Sequence, residues 1–538
     1  MEYRKYGNSA RNERYGIGEP VTPGGRPSER RAFDGCTNGG GCRRRLAAES
    51  PSHPCHRPGP RVDRRRSSLQ LFLLGGLLLG AFVLTRAASA QALPAACPNG
   101  GPDYAPFGVS EFQPVDIGTP MLRHTLSGPN STCNDGSPAV MYLRPATAYY
   151  SGPQLPPNAQ EPERWVIFFD GGGGCGTEDE CLQRWCGISG FNTAGKMSSL
   201  GAYDAIPGAT GIFNRNPAVN AFAGYNQVLL SYCSSDNWIG SESHASLAPS
   251  SGPTYDIEFQ GEAIVLDAFD TLVAGAAPDP AIAQQYWNDV MPTLLSAEEI
   301  VLVGESAGGG GLRHHVDRIR DWLLGQMAPE TRIVAVVDAG APVGLFGSAI
   351  DWSDPSSPAS YTDYLMSQVE PRVRDFWGAE DSALDASCLD PVWTAAHNAV
   401  GSHPQICLDT TYTLFEHITT PLFLRQDIND TLARERYADW ALVPNLPTFW
   451  ALQFSQNAAL PGWAALEPPL QPHGVFGPRC NQHVSVLTND FFTHTVTPVA
   501  GALSFHDLVV NWMAAAAPTT QVQVDGVAGP MYSPSFCP

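Results

Sequence analysis

Short hydrophobic runs alternate with longer segments of helical character along most of this 538-residue chain. Five of these runs are rich in β-branched and aromatic residues and end in a glycine or a polar cluster. They are residues 165–170 (WVIFFD), 227–233 (QVLLSYC), 299–304 (EIVLVG), 332–338 (RIVAVVD) and 421–425 (PLFLR). Nearly continuous apolar strands separated by helices indicate a sheet that is buried on both faces. The pattern therefore predicts an α/β fold with a mostly parallel sheet, helices on both faces and long connecting loops.

Charge is distributed unevenly along the chain. Residues 1–90 carry 16 basic and 7 acidic residues, whereas residues 91–538 carry 16 basic and 46 acidic residues, a net charge of −30. Nucleic acids and anionic membrane surfaces both favour Lys and Arg in a partner. The acidic part of the chain therefore argues against nucleic acid as a partner.

The boundary between the basic and acidic parts has the three regions of a secretory signal peptide. Arginines at 64–66 precede an apolar run at 69–84, and the small-residue pattern Ala88-Ser89-Ala90 follows. The run is short for a membrane span, so an uncleaved membrane anchor is the alternative. The predicted organisation is a basic low-complexity leader (1–66), a signal peptide (67–90) and one large domain (91–538). Because ordinary signal peptides carry no such leader, we expect translation to begin near Val62.

Export would place the cysteines in an oxidising compartment, either the periplasm or the extracellular space. Ten of the 13 cysteines follow the signal peptide, and an even number in an exported protein predicts disulfide bonds. A zinc site at Cys181 and Cys186 is the alternative, but no CxxC pair recurs with metal-ligand spacing.

The stretch VLVGESAGGGGLR at 301–313 has the pattern of a nucleophile elbow. In that motif a buried strand enters GxSxG and a helix leaves it, so that the serine lies at a tight turn. Ser306 is therefore the candidate nucleophile, and the alternative is a structural glycine loop. The helix that follows would direct its amide dipoles towards a negative charge beside the serine.

A second glycine string, residues 171–174, follows the strand WVIFFD. Hydrolases with an HGGG-type loop use backbone amides at this position to bind the oxyanion of the reaction. Gly172 and Gly173, with the amide of Ala307, are the predicted oxyanion hole. A flexible turn or a phosphate loop is the alternative, but the GK[ST] ending of a phosphate loop is absent.

Four motifs in order resemble the pectin acetylesterase/Notum family of serine carboxylesterases. They are STCNDGSPAVMYLRP (131–145), RWVIFFDGGGGC (164–175), SYCSSDNWIGS (231–241) and GESAGGGGLRHHVDRI (304–319). The resemblance implies an α/β-hydrolase fold, a serine, histidine and aspartate triad, and no metal or organic cofactor. It also implies disulfides Cys175–Cys233 and Cys181–Cys186.

In α/β-hydrolases the acid follows the serine along the chain and the histidine comes last. The resemblance favours Asp430 as the acid, and Asp427 is the alternative; Asp338 is interpreted as structural support. His473, His483, His494 and His506 all come late enough to be the base. The segment GPRCNQH resembles the family's segment before its last helix, so His483 is preferred.

These expectations define a secreted serine esterase that deacetylates a polysaccharide. The alternatives are a carboxylesterase for longer acyl chains on lipid or protein, and an inactive hydrolase homologue that binds carbohydrate. Family members often have an aromatic residue just after the oxyanion glycines, where this chain has Gly173 and Gly174, so substrate identity transfers weakly. Trp238, Trp450 and Trp463 are candidate surfaces for sugar stacking. If the run at 69–84 is not cleaved, it would associate with a membrane; the oligomeric state is not predicted.

Overall fold

The structure is a computed structural model. It describes residues 97, 119–148, 159–187, 194–250, 254–285, 290–328, 330–340, 369–390, 407–408, 413–414, 417–427, 430, 474–478, 480, 482–495, 502–514 and 521–524. The predicted leader and signal peptide lie outside these residues. Within them, no helix combines the length and apolar character needed to cross a bilayer.

Ten strands of the described chain form one sheet. In chain order they are β1 (Met121–Thr125), β2 (Val140–Arg144), β3 (Glu161–Phe169), β4 (Ala205–Ile206), β5 (Tyr225–Leu230), β8 (Glu299–Glu305), β9 (Arg332–Asp338), β10 (Leu422–Arg425), β11 (Gly474–Gly477) and β12 (Gln521–Val524). Their spatial order is β12-β11-β10-β9-β8-β3-β5-β2-β1-β4. The neighbours from β12 to β5 pair in parallel, and the pairs β5–β2, β2–β1 and β1–β4 are antiparallel. A separate hairpin consists of β6 (Glu242–Leu247) and β7 (Tyr255–Phe259).

The α-helices among the described residues are α1 (Glu178–Trp185), α2 (Gly261–Ala274), α3 (Pro280–Ala283), α4 (Ala307–Leu324) and α5 (Phe505–Ala514). Helices cover both faces of the sheet, as the apolar runs predict, whereas α1 packs in a third core with the hairpin. Trp165, Ile167 and Phe169 of β3 pack in one core with α2 and α4. Val166 and Phe168 point to the other face and pack in a second core with α5. The mostly parallel α/β architecture is confirmed, and all five predicted strands are present within a few residues of their expected bounds.

The strands β5, β3, β8, β9, β10, β11 and β12 are neighbours in the sheet and run parallel. Their carboxyl ends therefore lie at the same edge of the sheet. The glycine string follows β3, Ser306 follows β8 and Asp338 ends β9. Asp427 and Asp430 follow β10, and His483 follows β11. In open α/β sheets this edge is where ligands bind.

Candidate active site

The serine of the GESAG sequence lies at the turn between β8 and α4. Ser306 has φ 49° and ψ −120°, a strained conformation for a residue with a side chain. A β-carbon on Gly308 would lie 2.1 Å from the carbonyl oxygen of Phe169, and one on Gly304 would lie 2.6 Å from that of Gly308. The two glycines of the motif therefore allow strand, turn and helix to approach each other more closely than any other residue type would.

Ser306, His483 and Asp430 come together although they are far apart in sequence. The Nε2 atom of His483 lies 2.7 Å from Oγ of Ser306, and its Nδ1 atom lies 2.7 Å from Oδ2 of Asp430. Asp430 is buried, and the same Oδ2 also accepts a hydrogen bond from Nε2 of Gln426 at 2.9 Å. The imidazole is thus held between a hydroxyl and a carboxylate, with both ring nitrogens engaged.

Asp427, the alternative acid, faces away from His483. Its Oδ2 accepts a hydrogen bond from the amide of Gln482 at 2.8 Å, and its Oδ1 lies 2.7 Å from Nη2 of Arg425. Burial raises the pKa of Asp427 to about 8, against the opposing effect of Arg425. The structure therefore places Asp430 next to the histidine and Asp427 beneath the segment that carries it.

Arg425 and Asp338 hold the segment that contains His483. Both side chains are fully buried, and Nη1 of Arg425 donates to Oδ1 of Asp338 at 2.6 Å. The same Nη1 donates to the carbonyl of His483 at 2.7 Å, while Oδ2 of Asp338 accepts from the amides of Ser485 and Val486. Burial by itself lowers the pKa of Arg425, but the nearby carboxylates, Asp338 foremost, raise it above its ordinary value. Asp338 thus has the supporting role that its position at a strand end indicates.

The other candidate histidines lie elsewhere. His494 is fully buried beside Arg425 and Asp427, and burial together with Arg425 lowers its pKa to about 2, so that the ring stays neutral. His506 is on α5, where its Nε2 accepts a hydrogen bond from the amide of Ala221. His473 lies outside the described residues.

The glycine loop, residues 171–174, begins beside the serine. A β-carbon on Gly171 would lie 3.1 Å from Cβ of Ser306, and the next two glycines have φ values of 140° and 67°. In the described part of the chain, the amides of Gly172, Gly173 and Ala307 have no hydrogen-bond acceptor. Buried or partly buried amides are normally hydrogen-bonded. Three unpaired N–H donors near one serine are therefore unusual and are available to bind an acceptor atom of a ligand.

The disulfide bonds differ from the pairing that the family resemblance implies. The expected Cys175–Cys233 and Cys181–Cys186 bonds are wrong: Cys175 pairs with Cys181 and Cys133 with Cys233. Cys233 follows the end of β5 and Cys133 precedes the start of β2; because these two strands are antiparallel neighbours, both cysteines lie at the same edge of the sheet.

Helix geometry excludes the other expected bond. Cys181 lies inside α1 and Cys186 caps its end, so five residues separate them by about 7.5 Å along the helix axis alone. Disulfides need Cα atoms within about 7 Å of each other. Cys186 instead pairs with Cys97, whose Cα lies 5.5 Å away. A fourth bond joins Cys388 to Cys407, and Cys480 is also disulfide-bonded.

Two buried cations behind the glycine loop were missed from sequence. The ammonium group of Lys196 pairs with the carboxylate of Asp170, and Nη1 of Arg184 donates to the carbonyl of Gly172 at 2.7 Å. Both cations are less than a tenth exposed. The one sequence signal for them is the rarity of basic residues: residues 91–538 contain only 16 Lys and Arg. In so acidic a domain, any basic residue in the interior is unusual.

A strained segment, residues 234–240, lies against the same loop. Ser235, Asn237 and Trp238 have φ values of 54°, 54° and 68°. Asp236 fixes this conformation, because its carboxylate accepts hydrogen bonds from the amides of Trp238 at 2.9 Å and Gly261 at 2.8 Å. Burial raises the pKa of Asp236 to about 6, although these hydrogen bonds oppose the shift.

Trp238 is fully buried, and its indole N–H donates to the carbonyl of Asp170 at 3.1 Å. It is therefore a core residue and not a surface for sugar stacking. Trp450 and Trp463 lie outside the described residues.

Among the described residues, one group of potential metal ligands lies near the site, namely Asp427, Cys480 and His494. Cys480 is in a disulfide bond, so its sulfur is not available as the thiolate that a metal would need. Asp427 and His494 are also engaged with Arg425. These three residues therefore do not fit a metal site.

Comparison with known proteins agrees with this architecture. Residues 115–277 match the family model for pectinacetylesterase; the matched segment contains the glycine loop and ends before the strand that carries Ser306. The crystal structure of the Wnt deacylase Notum from Drosophila has the same fold, with a TM-score of 0.50 and 22% identity over 78% of this chain and 99% of that one.

Sequence relatives point to the same group. Notum of Drosophila melanogaster, a palmitoleoyl-protein carboxylesterase, is 25% identical over 373 residues, which cover 69% of this chain and 46% of that protein. Human Notum is 27% identical over 218 residues, covering 40% of this chain and 35% of that protein. The chain thus matches less than half of the length of these relatives. The family model over residues 115–277, these relatives and the shared fold thus all make the chain similar to the pectin acetylesterase/Notum family.

Proposed function

We propose that this chain is a serine esterase that hydrolyses O-acyl esters through an acyl-enzyme on Ser306. The observation that carries the proposal is the pair of 2.7 Å hydrogen bonds that join Ser306 to His483 and His483 to Asp430. A serine hydroxyl is a weak nucleophile by itself, and an adjacent imidazole oriented by a carboxylate is the arrangement that activates it.

In the proposed mechanism Nε2 of His483 takes the proton of Ser306 as Oγ attacks the ester carbonyl. Asp430 holds the imidazole in the correct tautomer and stabilises the imidazolium that forms. The negative charge on the former carbonyl oxygen is bound by the unpaired amides of Gly172, Gly173 and Ala307. His483 then protonates the departing alcohol, and a water molecule activated by the same histidine releases the acid.

We expect the substrate to be an acetylated polysaccharide. The match of residues 115–277 to the pectinacetylesterase model supports this class, because the matched segment includes the glycine loop. A longer acyl chain on lipid or protein is the alternative, which the similarity to palmitoleoyl-protein carboxylesterases favours. Gly173 and Gly174 leave the end of the loop without a side chain that would shorten an acyl pocket. An inactive carbohydrate-binding homologue is disfavoured because all three reacting side chains are present and in contact.

We propose a secreted or periplasmic location, with a membrane-anchored form as the alternative. Four disulfide bonds among the described residues fit an oxidising compartment. The net charge of −30 on residues 91–538 argues against nucleic acid as a partner.

The test is the initial hydrolysis rate of p-nitrophenyl esters from acetate to palmitate, followed by acetate release from acetylated polysaccharides. Wild-type activity that peaks at acetate and disappears in Ser306→Ala supports the acetylesterase. A peak at about eight carbons or more moves the substrate to a lipid or lipoprotein. Absence of any rate that depends on Ser306 would refute the esterase proposal.

The two aspartates provide a matched pair for the acid. Asp430→Asn should lower kcat by about 10⁴-fold, the loss expected when the wrong histidine tautomer is held. Asp427→Asn leaves the contact between Asp430 and His483 in place and should lower kcat far less. A larger loss in Asp427→Asn than in Asp430→Asn would contradict the assignment.

A further inference from the structure

Arg184 occupies an unusual position for a cation, because it is buried directly behind the glycine loop. It is 5% exposed and belongs to a short helix, α1, whose apolar side chains pack in the core around the hairpin. Its Nη1 donates to the carbonyl oxygen of Gly172 at 2.7 Å, and its Nε donates to Oγ of Ser235 at 2.8 Å. Burying a guanidinium costs free energy unless hydrogen bonds compensate, so this placement needs a reason.

The bond to Gly172 fixes the orientation of one peptide group. In a trans peptide the carbonyl of one residue and the N–H of the next point in opposite directions. Because the carbonyl of Gly172 points at Arg184, the N–H of Gly173 must point away from it. That N–H is one of the amides that have no acceptor among the described residues.

Glycine makes this restraint necessary. Gly172 and Gly173 have φ values of 140° and 67°, and because neither has a side chain, little else restrains the rotation of their peptide. A hydrogen bond from a charged donor is about twice as strong as one between neutral groups. It also polarises the peptide, which makes the N–H on the far side a better donor.

Arg184 is itself held in place from several sides. Cys181, one turn earlier on α1, is bonded to Cys175 at the end of the glycine loop, and Cys186, at the end of α1, is bonded to Cys97. Ser235 belongs to the strained segment whose conformation Asp236 fixes. The guanidinium therefore cannot follow the carbonyl of Gly172 if the loop shifts, and it acts as a fixed point.

We propose that Arg184 is a positioning residue for the oxyanion hole. It holds the peptide between Gly172 and Gly173 so that the N–H of Gly173 faces the position of the oxyanion that forms when Ser306 attacks the ester. This inference rests on the proposed esterase function. It assigns the role to a residue that contacts neither the ester nor His483.

The test compares two buried arginines that both bind backbone carbonyls. Arg184→Gln removes the restraint, and Arg144→Gln is the control. Arg144 is on β2, away from Ser306, and its Nη2 donates to the carbonyls of Gly208 at 2.8 Å and Phe213 at 2.7 Å. Each variant of the full chain is assayed for kcat and KM on the best p-nitrophenyl ester, for Tm, and for inhibition by an alkyl trifluoromethyl ketone. The ketone forms a tetrahedral adduct with the serine and so probes the oxyanion hole directly.

We expect Arg184→Gln to lower kcat by about 10- to 100-fold, less than the 10²- to 10³-fold loss caused by removing an oxyanion donor. KM should change by less than about threefold, and Ki of the ketone should rise by the same factor by which kcat/KM falls. Arg144→Gln should lower Tm and leave kcat unchanged. A purely structural role for Arg184 predicts the same result as for Arg144, with stability lost and both kcat and Ki retained.

Two outcomes separate this inference from the function on which it rests. Loss of kcat in Ser306→Ala together with unchanged kcat and Ki in Arg184→Gln overturns the inference alone. Absence of hydrolysis that depends on Ser306 in the wild type overturns both. If Arg184→Gln does not fold, Ser235→Ala decides, because it removes the hydrogen bond that Nε of the guanidinium donates to Oγ of Ser235. A folded Ser235→Ala should lose about three- to tenfold in kcat with a parallel rise in Ki, and unchanged values overturn the inference.

Discussion

The contact between the nucleophile elbow and β3 makes a sharp prediction about Gly308. A methyl group at this position would place Cβ 2.1 Å from the carbonyl oxygen of Phe169 and 2.7 Å from that of Asp170. Both obstacles are backbone atoms, so no side chain can rotate away. Separations under 3.0 Å are essentially never seen, and the start of α4 must therefore retreat from β3 by about 1 Å.

This displacement sets the expected size of the effect. Overpacking of a well-filled interior costs about 1–3 kcal/mol, which Gly308→Ala should show as a lower free energy of unfolding. Ser306 would move by a similar distance relative to the glycine loop at the end of β3, and a misplacement of about 1 Å can lower kcat about 100-fold. Chemical denaturation and ester hydrolysis measure the two effects separately.

Gly310 is the matched control on the same helix. A β-carbon there would meet nothing closer than Nη2 of Arg313 at 3.9 Å. Gly310→Ala should keep kcat and gain up to about 1 kcal/mol, because Ala has the higher helix propensity. Retention of wild-type kcat and stability in Gly308→Ala, or equal damage in both variants, would refute the reasoning.

Two further predictions concern the supports behind the site. Asp236 has an ordinary pKa of 3.8 and a folded-state pKa of about 6; its stabilising contribution is therefore present below pH 3.8 and lost as pH rises through 6. The stability cost of Asp236→Asn, measured by urea denaturation, should fall by up to about 3 kcal/mol between pH 4 and pH 7, and a cost that stays constant or grows contradicts this. Removing Cys133–Cys233, which spans 100 residues, by double substitution with serine should cost about 2–5 kcal/mol and leave kcat nearly unchanged. Removing Cys175–Cys181, which spans 6 residues, should lower the free energy of unfolding less and kcat more. If both double variants lose stability and kcat to the same extent, the proposed role of the glycine loop is contradicted.

Five strands of the parallel part of the sheet, namely β3, β5, β8, β9 and β10, were predictable because they are buried on both faces. A strand such as RIVAVVD, seen as Arg332–Asp338, is apolar at nearly every position and contrasts with its surroundings. The antiparallel strands β1 and β2 have the sequences MLRHT and VMYLR, and β11 has GVFG. The first two strands mix polar with apolar residues and β11 has only four residues, so the sequence pattern does not distinguish them from loops.

Within the candidate site, local motifs could be recognised from the sequence, whereas the contacts of the buried arginines could not. The elbow of Ser306 is a strand, a turn and a helix in succession, all of which have sequence signals. Arg184 reaches a carbonyl 12 residues away and Arg425 one that is 58 residues away. In both cases the acceptor is a backbone carbonyl. Every residue has one, so the sequence does not indicate which carbonyl the arginine binds.

The predicted disulfide connectivity was wrong for the same reason, because it too depends on contacts between distant parts of the chain. Several pairings are compatible with any set of cysteines, and the fold selects among them by which strand ends are neighbours. Cys133 could be matched with Cys233 only after β2 and β5 were known to be antiparallel neighbours. The choice between Asp427 and Asp430 likewise depends on the fold, which pairs one carboxylate with Gln482 and Arg425 and the other with His483.

The strand order permits the sheet to assemble in the order in which the chain is synthesised. Strands β1 to β5 form one contiguous half with β3 at its edge; β8 then joins β3, and each of the strands from β9 to β12 joins the strand before it. The three disulfides within residues 97–233 can close before the strand that leads to Ser306 has been made. During that interval the apolar strand β3 is an unpaired edge, the kind of surface through which unfinished chains associate. The glycine loop can therefore be complete before the nucleophile arrives, and the nascent chain is most prone to aggregate between the synthesis of β5 and that of β8.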